Sequence, residues 1–314
     1  MRSNCLIFQI IMSVGGEESG FKKKKKGRSF LQKAKKFGRQ GQRGRGTEIE
    51  QDQYDYLVRV LERWKQEFES EEERTIFVEN VMREMEGKER QICGNQLGSR
   101  VIEMLLPSAD QSVLSQYSDC LFQDLRLVCL DPFMSHVLEK LLILQSFVSE
   151  PSQAGPEEAS RDWVVRVSKF VTNNVEDFCN DSYASHLLRT CCECLVGQRL
   201  QERTNQSRTE GYEARNVWRF KDDPATVSLC DDVLETFSTR LSSLAGDTIM
   251  AELCVRVLTV FCQLTTSSSN TKHQRLSSSV ISHLLTGVLS QGVETEDIIS
   301  VRSVSCQSVR LGVS

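Results

Sequence analysis

One pattern of apolar and polar positions occurs three times, as CGNQLGSRVIEMLL at 93–106, CLDPFMSHVLEKLL at 129–142 and CNDSYASHLLRTCC at 179–192. If the Ser of each copy is position 0, an Asn or Asp stands at −4 and apolar residues stand at +2, +3, +6 and +7. A fourth copy centred on Ala251 fits the same register, with Asp247 at −4. Because these four apolar offsets lie on one face of an α-helix, each copy predicts an amphipathic helix.

Positions −4 and −14 complete a repeating unit. Asn or Asp at −4 predicts an N-cap, whose side chain accepts hydrogen bonds from the backbone N–H groups that begin a helix. Position −14 is apolar in all four copies, where it is occupied by Met85, Leu121, Val171 and Phe237. Since −14 falls on a preceding helix, each unit is predicted to contain two helices joined by a tight turn.

The spacing of the copies predicts a stacked array over residues 71–292. The first two copies are 36 residues apart, a period typical of helical solenoids. The next intervals, of 50 and 66 residues, contain a Pro/Gly/Glu-rich stretch at 149–162 and a polar stretch at 197–226. We expect both stretches to be insertions, which arrays tolerate because each repeat contacts only its neighbours.

Segments on either side of the array have patterns of their own. The apolar positions of Asp52–Glu69 predict an amphipathic capping helix within residues 50–70. Ser277–Ser290 has the pattern of the first helix of a fifth unit, whereas residues 293–314 have neither a cap nor a partner helix and are expected to form an irregular tail. The predicted fold is therefore all-α, with about four two-helix repeats and a partial fifth.

Charge is distributed unevenly along the chain. Residues 22–45 contain twelve Lys or Arg and no acidic residue, so the remainder carries a net charge of −16 within an overall −4. We expect residues 1–49 to be a disordered basic arm that serves as a nuclear or nucleolar address or as a nucleic-acid tether. A solvated tail without a partner is the alternative.

Targeting and cysteine patterns argue against a secreted, a membrane-spanning or a disulfide-bonded protein. The apolar run Cys5–Met12 is only eight residues long and is followed by five lysines, so we do not expect a signal peptide; Met1 and Met12 are both possible starts. No stretch approaches the roughly 20 apolar residues that span a membrane. Twelve cysteines lie mostly inside apolar helical runs, which favours reduced thiols over disulfides.

Positions 0, +1 and +4 of the second helix are predicted to point away from its apolar face, toward one side of the array. A hydroxyl and a carboxylate one turn apart can bind the Watson–Crick edge of a base, while a planar or cationic side chain at +1 stacks on it. Guanine suits Ser with Glu, because its N1–H and N2–H₂ groups both donate to a carboxylate. The predicted RNA-binding residues are Ser99, Arg100, Glu103, Ser135, His136, Glu139, Ser185, His186 and Arg189.

The segments GSRVIE, MSHVLE and ASHLLR resemble the second-helix signature of pumilio (PUF) repeats, and the resemblance covers about residues 50–290. It implies a right-handed α-solenoid whose concave face binds single-stranded RNA. The basic arm and the long insertions resemble the nucleolar branch of this family. That resemblance implies precursor ribosomal RNA and pre-ribosomal particles as partners, and a role in pre-rRNA processing and small ribosomal subunit biogenesis. Because family members have more repeats, we expect this chain to correspond to the N-terminal part of one.

The later copies depart from the pattern. Arg189 occupies the position of the base-pairing residue, so a phosphate contact is expected there, and Ala251 with Val255 removes base-reading chemistry from the fourth copy. A small Ser that eases helix packing and a Glu that favours helix are the alternative interpretation of any single copy. A protein-binding scaffold of the HEAT or armadillo kind is the alternative function.

Catalytic and metal chemistry is not predicted. Cys191, Cys192 and Cys194 with His186 do not suit a zinc site, because neighbouring helical residues point in different directions. Position +6/+7 makes the first two cysteines core residues. The sequence contains no Gly-rich phosphate loop and no Cys/His arrangement with an orienting partner. We therefore expect neither an enzyme, a metal, a cofactor nor a small-molecule substrate.

Overall fold

The computed structural model describes residues 29–41, 43–148, 158–200, 217–244 and 252–290, with side chains described as far as residue 283. Its α-helices in chain order are α1 (Phe30–Arg39), α2 (Gln51–Trp64), α3 (Glu71–Glu84), α4 (Glu89–Cys93), α5 (Gln96–Leu105), α6 (Gln111–Phe122), α7 (Leu125–Leu130), α8 (Met134–Ser146), α9 (Glu158–Asn173), α10 (Val175–Phe178), α11 (Ala184–Val196), α12 (Pro224–Ser242), α13 (Glu252–Ser267) and α14 (Thr271–Ser290). A 3₁₀ turn follows α5 at Leu106–Ser108, and two short strands are β1 (Phe147–Val148) and β2 (Val217–Trp218). The predicted helical-repeat fold is confirmed.

The described residues form two compact units. The N-terminal unit contains those from 29 to 167 together with 217–219. The C-terminal unit contains those of 168–200, 220–244 and 252–290. The first two copies of the repeated pattern lie in the N-terminal unit and the third lies in the C-terminal unit.

The apolar columns form the core. Position −14 is at most 1% exposed in all four copies, and the side chains at +6 and +7 are likewise at most 1% exposed. At −4, Asn95 Oδ1 accepts from the backbone N–H groups two and three residues later at 2.9 and 3.3 Å. Asp131 Oδ1 accepts from the corresponding groups at 2.8 and 2.8 Å, and Asp181 Oδ1 at 2.8 and 2.7 Å. The predicted caps are therefore confirmed in three copies, whereas Asp247 lies outside the described residues.

Each of the first three units contains a third helix that the periodic pattern did not predict. The two-helix interpretation is corrected by α4, α7 and α10, which lie between the long helices. Apolar side chains at −7 and −6 anchor these short helices, and all six are fully buried: Ile92, Cys93, Val128, Cys129, Phe178 and Cys179. The predicted tight turn is thus a helical turn that carries two core residues.

The predicted insertions are shorter than expected and one contains a strand. Residues 158–162 belong to α9, and α12 begins at Pro224. Phe147 pairs with Trp218 and Val148 with Val217 in an antiparallel two-stranded sheet. This pairing joins the end of the second repeat to residues 217–218 of the second insertion within the N-terminal unit. Phe147 is fully buried there.

Part of the predicted disordered arm is helical. Helix α1 begins at a capping box in which Ser29 and Gln32 each bind the other's backbone N–H group. Its Ala34 is buried, and the Tyr54 hydroxyl donates to the Ala34 carbonyl oxygen at 3.2 Å. Packing against α2 therefore orders these residues, which corrects the expectation for 30–39. Residues 1–28 and the predicted tail at 293–314 lie outside the described residues.

The capping helix α2 ends at Trp64, five residues before the predicted end at Glu69. Glu73 stabilises the turn that follows, since its carboxylate accepts from the Glu69 backbone N–H group at 2.7 Å and from Arg63 Nη2 at 2.6 Å. The helix of the partial fifth unit begins at Thr271, six residues before the predicted Ser277.

Within the described residues, no helix combines the length and apolar character that crossing a membrane requires. The same residues contain no group of three or more His, Cys, Asp or Glu arranged to hold a metal ion. Cys191 and Cys192 are at most 1% exposed, which confirms that they are core residues.

Candidate nucleic-acid interface

The second helices α5, α8 and α11 share one order of buried and exposed side chains. Positions +2 and +3 are buried in each, position +1 is exposed, and position +4 is half-buried. Each helix therefore presents one exposed and one half-buried polar side chain a turn apart. These pairs are Arg100 with Glu103, His136 with Glu139, and His186 with Arg189.

Position 0 does not share this surface. Ser99, Ser135 and Ser185 are only 3%, 3% and 1% exposed. Ser99 Oγ lies 3.5 Å from the carbonyl oxygen of Gln96 on its own helix. The hydroxyls of Ser135 and Ser185 are buried without a hydrogen-bond partner among the described residues. Position 0 is therefore buried and not exposed as the helical pattern predicts, and the exposed or half-buried polar side chains are those at +1 and +4. That the three serines bind a base stays a prediction.

In the N-terminal unit the first two pairs form one electrostatic surface. Arg100 Nη1 lies 3.5 Å from Glu103 Oε2, and His136 Nδ1 lies 3.9 Å from Glu139 Oε2. Burial raises the pKa of the Glu103 carboxyl, although the positive charges of Arg100, His136 and Lys140 oppose that rise. Each carboxylate is thus flanked by cations of its own repeat or of the next.

The pKa of His136 depends on acidic residues of both the first and the second repeat. Contact with the Glu139 carboxylate raises the pKa of its imidazole, burial opposes that effect, and the negative charge of Glu103 adds to the rise. A raised pKa favours a protonated, planar cation at this position. His136 therefore combines a flat ring for stacking with a charge that suits a phosphate.

The third pair has a different arrangement. Arg189 Nη2 lies 2.5 Å from His186 Nδ1, and Arg189 Nε donates to the Ser185 carbonyl oxygen at 3.3 Å. The guanidinium is thus bound to its own helix, in the C-terminal unit, and offers no carboxylate to a base edge. Hydrogen bonding to Arg189 requires the Nδ1 atom of His186 to be the acceptor.

Residues 43–49 form a strap across the turn that begins α5. Asn95 Nδ2 donates to the carbonyl oxygens of Arg43 and Thr47 at 2.8 and 3.0 Å. The Thr47 backbone N–H group donates to the Gly94 carbonyl oxygen at 2.8 Å, and the Gln96 N–H group donates to the Arg45 carbonyl oxygen at 2.9 Å. The strap therefore belongs to the first repeat, which corrects its assignment to a disordered arm.

The arm's cations are partly paired inside the N-terminal unit. Lys35 forms an ion pair with Glu62, and Arg43 Nη2 lies 2.6 Å from Glu48 Oε1. Ion pairs this exposed contribute little to stability. They nevertheless place two of the arm's cationic side chains beside acidic residues of the N-terminal unit.

The stretch that contains the first three repeated helices is similar to a known family. Residues 87–236 match the family described as the NOP9-like PUF repeat domain. The match covers 150 of the 314 residues, so this part of the chain is similar to that domain.

Two curated proteins and one solved structure illustrate the similarity. Nucleolar protein 9 of Coccidioides posadasii is 26% identical over 199 residues, which cover 57% of this chain and 28% of that protein. Nucleolar protein 9 of Homo sapiens is 28% identical over 203 residues, or 61% of this chain and 31% of that protein. The structure of APUM23 with GGAAUUGACGG has a TM-score of 0.49 and 18% identity, and the match covers 82% of this chain and 51% of that one. The chain therefore matches less than a third of the length of either curated relative.

A pocket of about 1080 Å³ adjoins the first repeat inside the N-terminal unit. Arg100 and Glu103 form part of its wall, and Trp64, Phe68 and Arg74 form another part. Lys140 of the second repeat also lines it. We refer to it as the end pocket, because it lies between the capping helix and the first repeat.

Several residues of this surface carry no repeated signal in the sequence. Lys140 stands at +5, where the first and third copies have Met104 and Thr190, so no repeated column marks it. Trp64 and Phe68 fit the apolar pattern of a longer α2, which hides their position beside a pocket. Because α2 ends at Trp64, both side chains line the pocket instead, and no local signal predicts that early end.

Proposed function

We propose that this chain binds single-stranded RNA through the +1 and +4 side chains of its PUF repeats, and that binding, not catalysis, is its activity. The observation that carries the proposal is the same exposure of this pair in three consecutive second helices. Helical repeats that present one such set each can bind one base per repeat.

The chemistry of the first two repeats suits two neighbouring guanines. Glu103 and Glu139 each supply a carboxylate that can accept from N1–H and N2–H₂ of guanine. Arg100 and His136 supply a guanidinium and an imidazole that can stack on the bases, an interaction worth roughly 1–3 kcal/mol per base. The third repeat, with Arg189 in place of the acid, is expected to contact phosphate.

Precursor ribosomal RNA is the RNA class that we propose, with action in small ribosomal subunit biogenesis within pre-ribosomal particles in the nucleolus. The name nucleolar protein 9, which the curated relatives carry, supports the nucleolar location. The acid-free basic stretch supports it too, because such stretches serve as nuclear addresses. Replacing Lys22–Lys26 by glutamine should reduce nucleolar accumulation in cells while the strap stays intact; unchanged localisation would contradict this role of the arm.

A competition assay tests base recognition. Single strands with and without GG should compete differently for the wild-type chain, and duplex RNA should compete poorly because base pairing hides the edge that the carboxylate must reach. Glu103→Gln with Glu139→Gln should remove or switch the guanine preference, since each carboxylate loses one acceptor and gains a donor. Arg100→Ala should weaken binding whatever the base.

Glu79→Gln is the matched control, because Glu79 is an exposed acid on α3 outside the pairs. It should leave both affinity and preference unchanged. A wild-type chain without guanine preference, or a double variant that keeps it, would contradict base reading. A chain that binds proteins but no RNA at moderate salt would favour the HEAT-like or armadillo-like scaffold instead.

A further inference from the structure

We propose that the end pocket binds the base of one further nucleotide of the same RNA strand, beyond the base bound at Arg100 and Glu103. The inference rests on the RNA binding proposed above and adds a subsite that lies outside the repeated code. Its residues come from α2, the 65–70 turn, α3 and the first repeat, with Phe30 of α1 and Lys140 of the second repeat. One base would therefore be bound by the capping region of the domain.

An aromatic and guanidinium wall suits base stacking. Trp64 and Phe68 pack edge to face with ring centroids 5.7 Å apart, and Phe77 supports Phe68 at 5.5 Å. The guanidinium carbon of Arg74 lies 4.8 Å from the Trp64 ring centroid. Nucleic-acid bases stack on both aromatic rings and guanidinium planes. Contacts within the protein hold this wall in place, so little ordering is required when a base binds.

Arg74 also has an unmet hydrogen-bonding requirement. Its Nη1 atom lies 3.3 Å from Glu71 Oε1, but its Nε–H group is buried without a hydrogen-bond partner among the described residues. Such buried donors are uncommon because they cost free energy. Because the Nε atom is buried, a base oxygen or ring nitrogen can accept from it only after the Arg74 side chain shifts.

Charged side chains of both signs line the pocket. Arg100 and Lys140 lie on the side of the repeats, where they can neutralise a phosphate. Glu67 and Glu69 lie on the side of the turn, where carboxylates accept hydrogen bonds from base N–H groups and repel phosphate. Glu103 also lies on the side of the repeats and Lys65 on the side of the turn, so each side offers groups for both a phosphate and a base N–H group.

Continuity with the repeats makes the occupant a strand rather than a separate molecule. Arg100 and Glu103 belong both to the pair of the first repeat and to the pocket wall. The nucleotide next to the one that they bind is therefore within reach of the pocket. A volume of about 1080 Å³ is large enough for one nucleotide with ordered water.

The test uses the full chain and single-stranded RNA that ends in GG at one terminus or the other. Each strand is compared with a strand that carries one added adenosine beyond the GG. In one of the two orientations the added nucleotide should tighten binding by about tenfold in the wild type. Arg74→Met removes the guanidinium plane and the buried donor, so it should abolish that gain while leaving the affinity for strands that end in GG unchanged. Arg83→Met is the matched control, because Arg83 is an exposed arginine on the same helix, and it should retain the gain.

The outcomes separate the two proposals. If strands that end in GG bind but the added nucleotide brings no gain, or Arg74→Met keeps the gain, the pocket is not a subsite and RNA binding stands. If no strand binds the wild-type chain, both proposals fail. If free AMP competes with the added nucleotide as well as the strand itself does, the pocket binds a free nucleotide and the strand assignment is overturned. Circular dichroism of Arg74→Met shows whether the variant keeps its helices, and Arg74→Lys, which keeps the charge but not the plane, should also lose the gain.

Discussion

The side-chain amide of Asn95 donates a hydrogen bond to the carbonyl oxygen of Arg43, 52 residues earlier in the chain, at 2.8 Å. The same side chain caps α5 through its oxygen, so one residue both begins a repeat and holds the strap. Asp131 and Asp181 occupy the equivalent position in the next two repeats and cap their helices with a carboxylate, which has no donor. The first repeat requires Asn because an amide combines the capping acceptor with a donor for the strap.

Asn95→Asp should release the strap without removing the cap. The carboxylate keeps the acceptor for the helix N-terminus but loses both donors and repels the carbonyl oxygens of Arg43 and Thr47, at a cost of about 1–3 kcal/mol. Limited trypsin digestion should therefore cut faster after Arg43 or Arg45. The reverse exchange Asp131→Asn is the control and should alter neither stability nor cleavage. Equal cleavage rates for Asn95→Asp and wild type would show that the amide does not hold the strap.

Gly46→Ala should destabilise the strap more than Gly41→Ala. Both glycines have positive φ, +88° and +67°, so each substitution costs about 1–2 kcal/mol of backbone strain. A Cβ at Gly46 would overlap the Gly94 carbonyl oxygen and lie 2.6 Å from the Phe133 ring, whereas a Cβ at Gly41 meets nothing within 4 Å. Urea unfolding should show the larger loss for Gly46→Ala, and similar losses for the two variants would contradict the close approach.

The ionisation of His136 depends on Glu139. Contact with Glu139 raises the folded-state pKa of His136 above 6.5. The contribution of this contact to the stability of the folded chain is therefore fully present below pH 6.5 and is lost as the pH rises through the folded-state pKa. His136 is nearly half exposed, so the contribution is below about 1 kcal/mol. Glu139→Gln should lower the pKa of His136 in an NMR titration, although Glu103 would still favour and Arg100 would still oppose the imidazolium. An unchanged titration in Glu139→Gln would refute the assignment.

Within the C-terminal unit, the contact between Asp231 and the buried His273 should be a major source of stability. Asp231 Oδ1 lies 2.6 Å from His273 Nε2, and the other ring nitrogen lies 2.9 Å from Ser268 Oγ. His273→Ala removes this partner from the Asp231 carboxylate, which is 15% exposed and still accepts from Asn270 Nδ2 at 3.3 Å, so it should cost about 1–3 kcal/mol. Asp232→Ala removes only an exposed contact with Lys272 and should cost less than about 1 kcal/mol. Hydrogen exchange of the backbone amides of α12 and α14 compares the stability losses of the two variants. Equal protection in His273→Ala and Asp232→Ala would contradict the larger role of His273.

Periodicity is sufficient to predict the repeats and their core. Positions such as +3 and +6 are apolar in several copies, which predicts that they face a neighbouring helix. Ile102 at +3 is fully buried, as this pattern predicts. The caps at Asn95, Asp131 and Asp181 are equally predictable, since capping depends on groups within three residues of the side chain. The short helices are harder to predict, because the two buried residues at −7 and −6 give too short a pattern to distinguish a turn from a helix.

Other features depend on contacts between residues far apart in the chain. The burial of Ser99 follows from close helix packing, which a helical period cannot distinguish from an exposed polar face at the edge of the apolar stripe. The strap at 43–49 is held by a side chain about 50 residues later, and β1 pairs with β2 across about 70 residues. No local pattern encodes such pairings.

The division between the two groups of features has a physical cause. The repeats, their caps and the +1 and +4 pairs arise from helical periodicity and from hydrogen bonds between near neighbours, so they can be read from the residues alone. The end pocket, the helix at 30–39 and the strap exist only where distant segments of the chain pack together. Their geometry therefore becomes known only when the folded chain brings α1, α2 and the first repeat into contact.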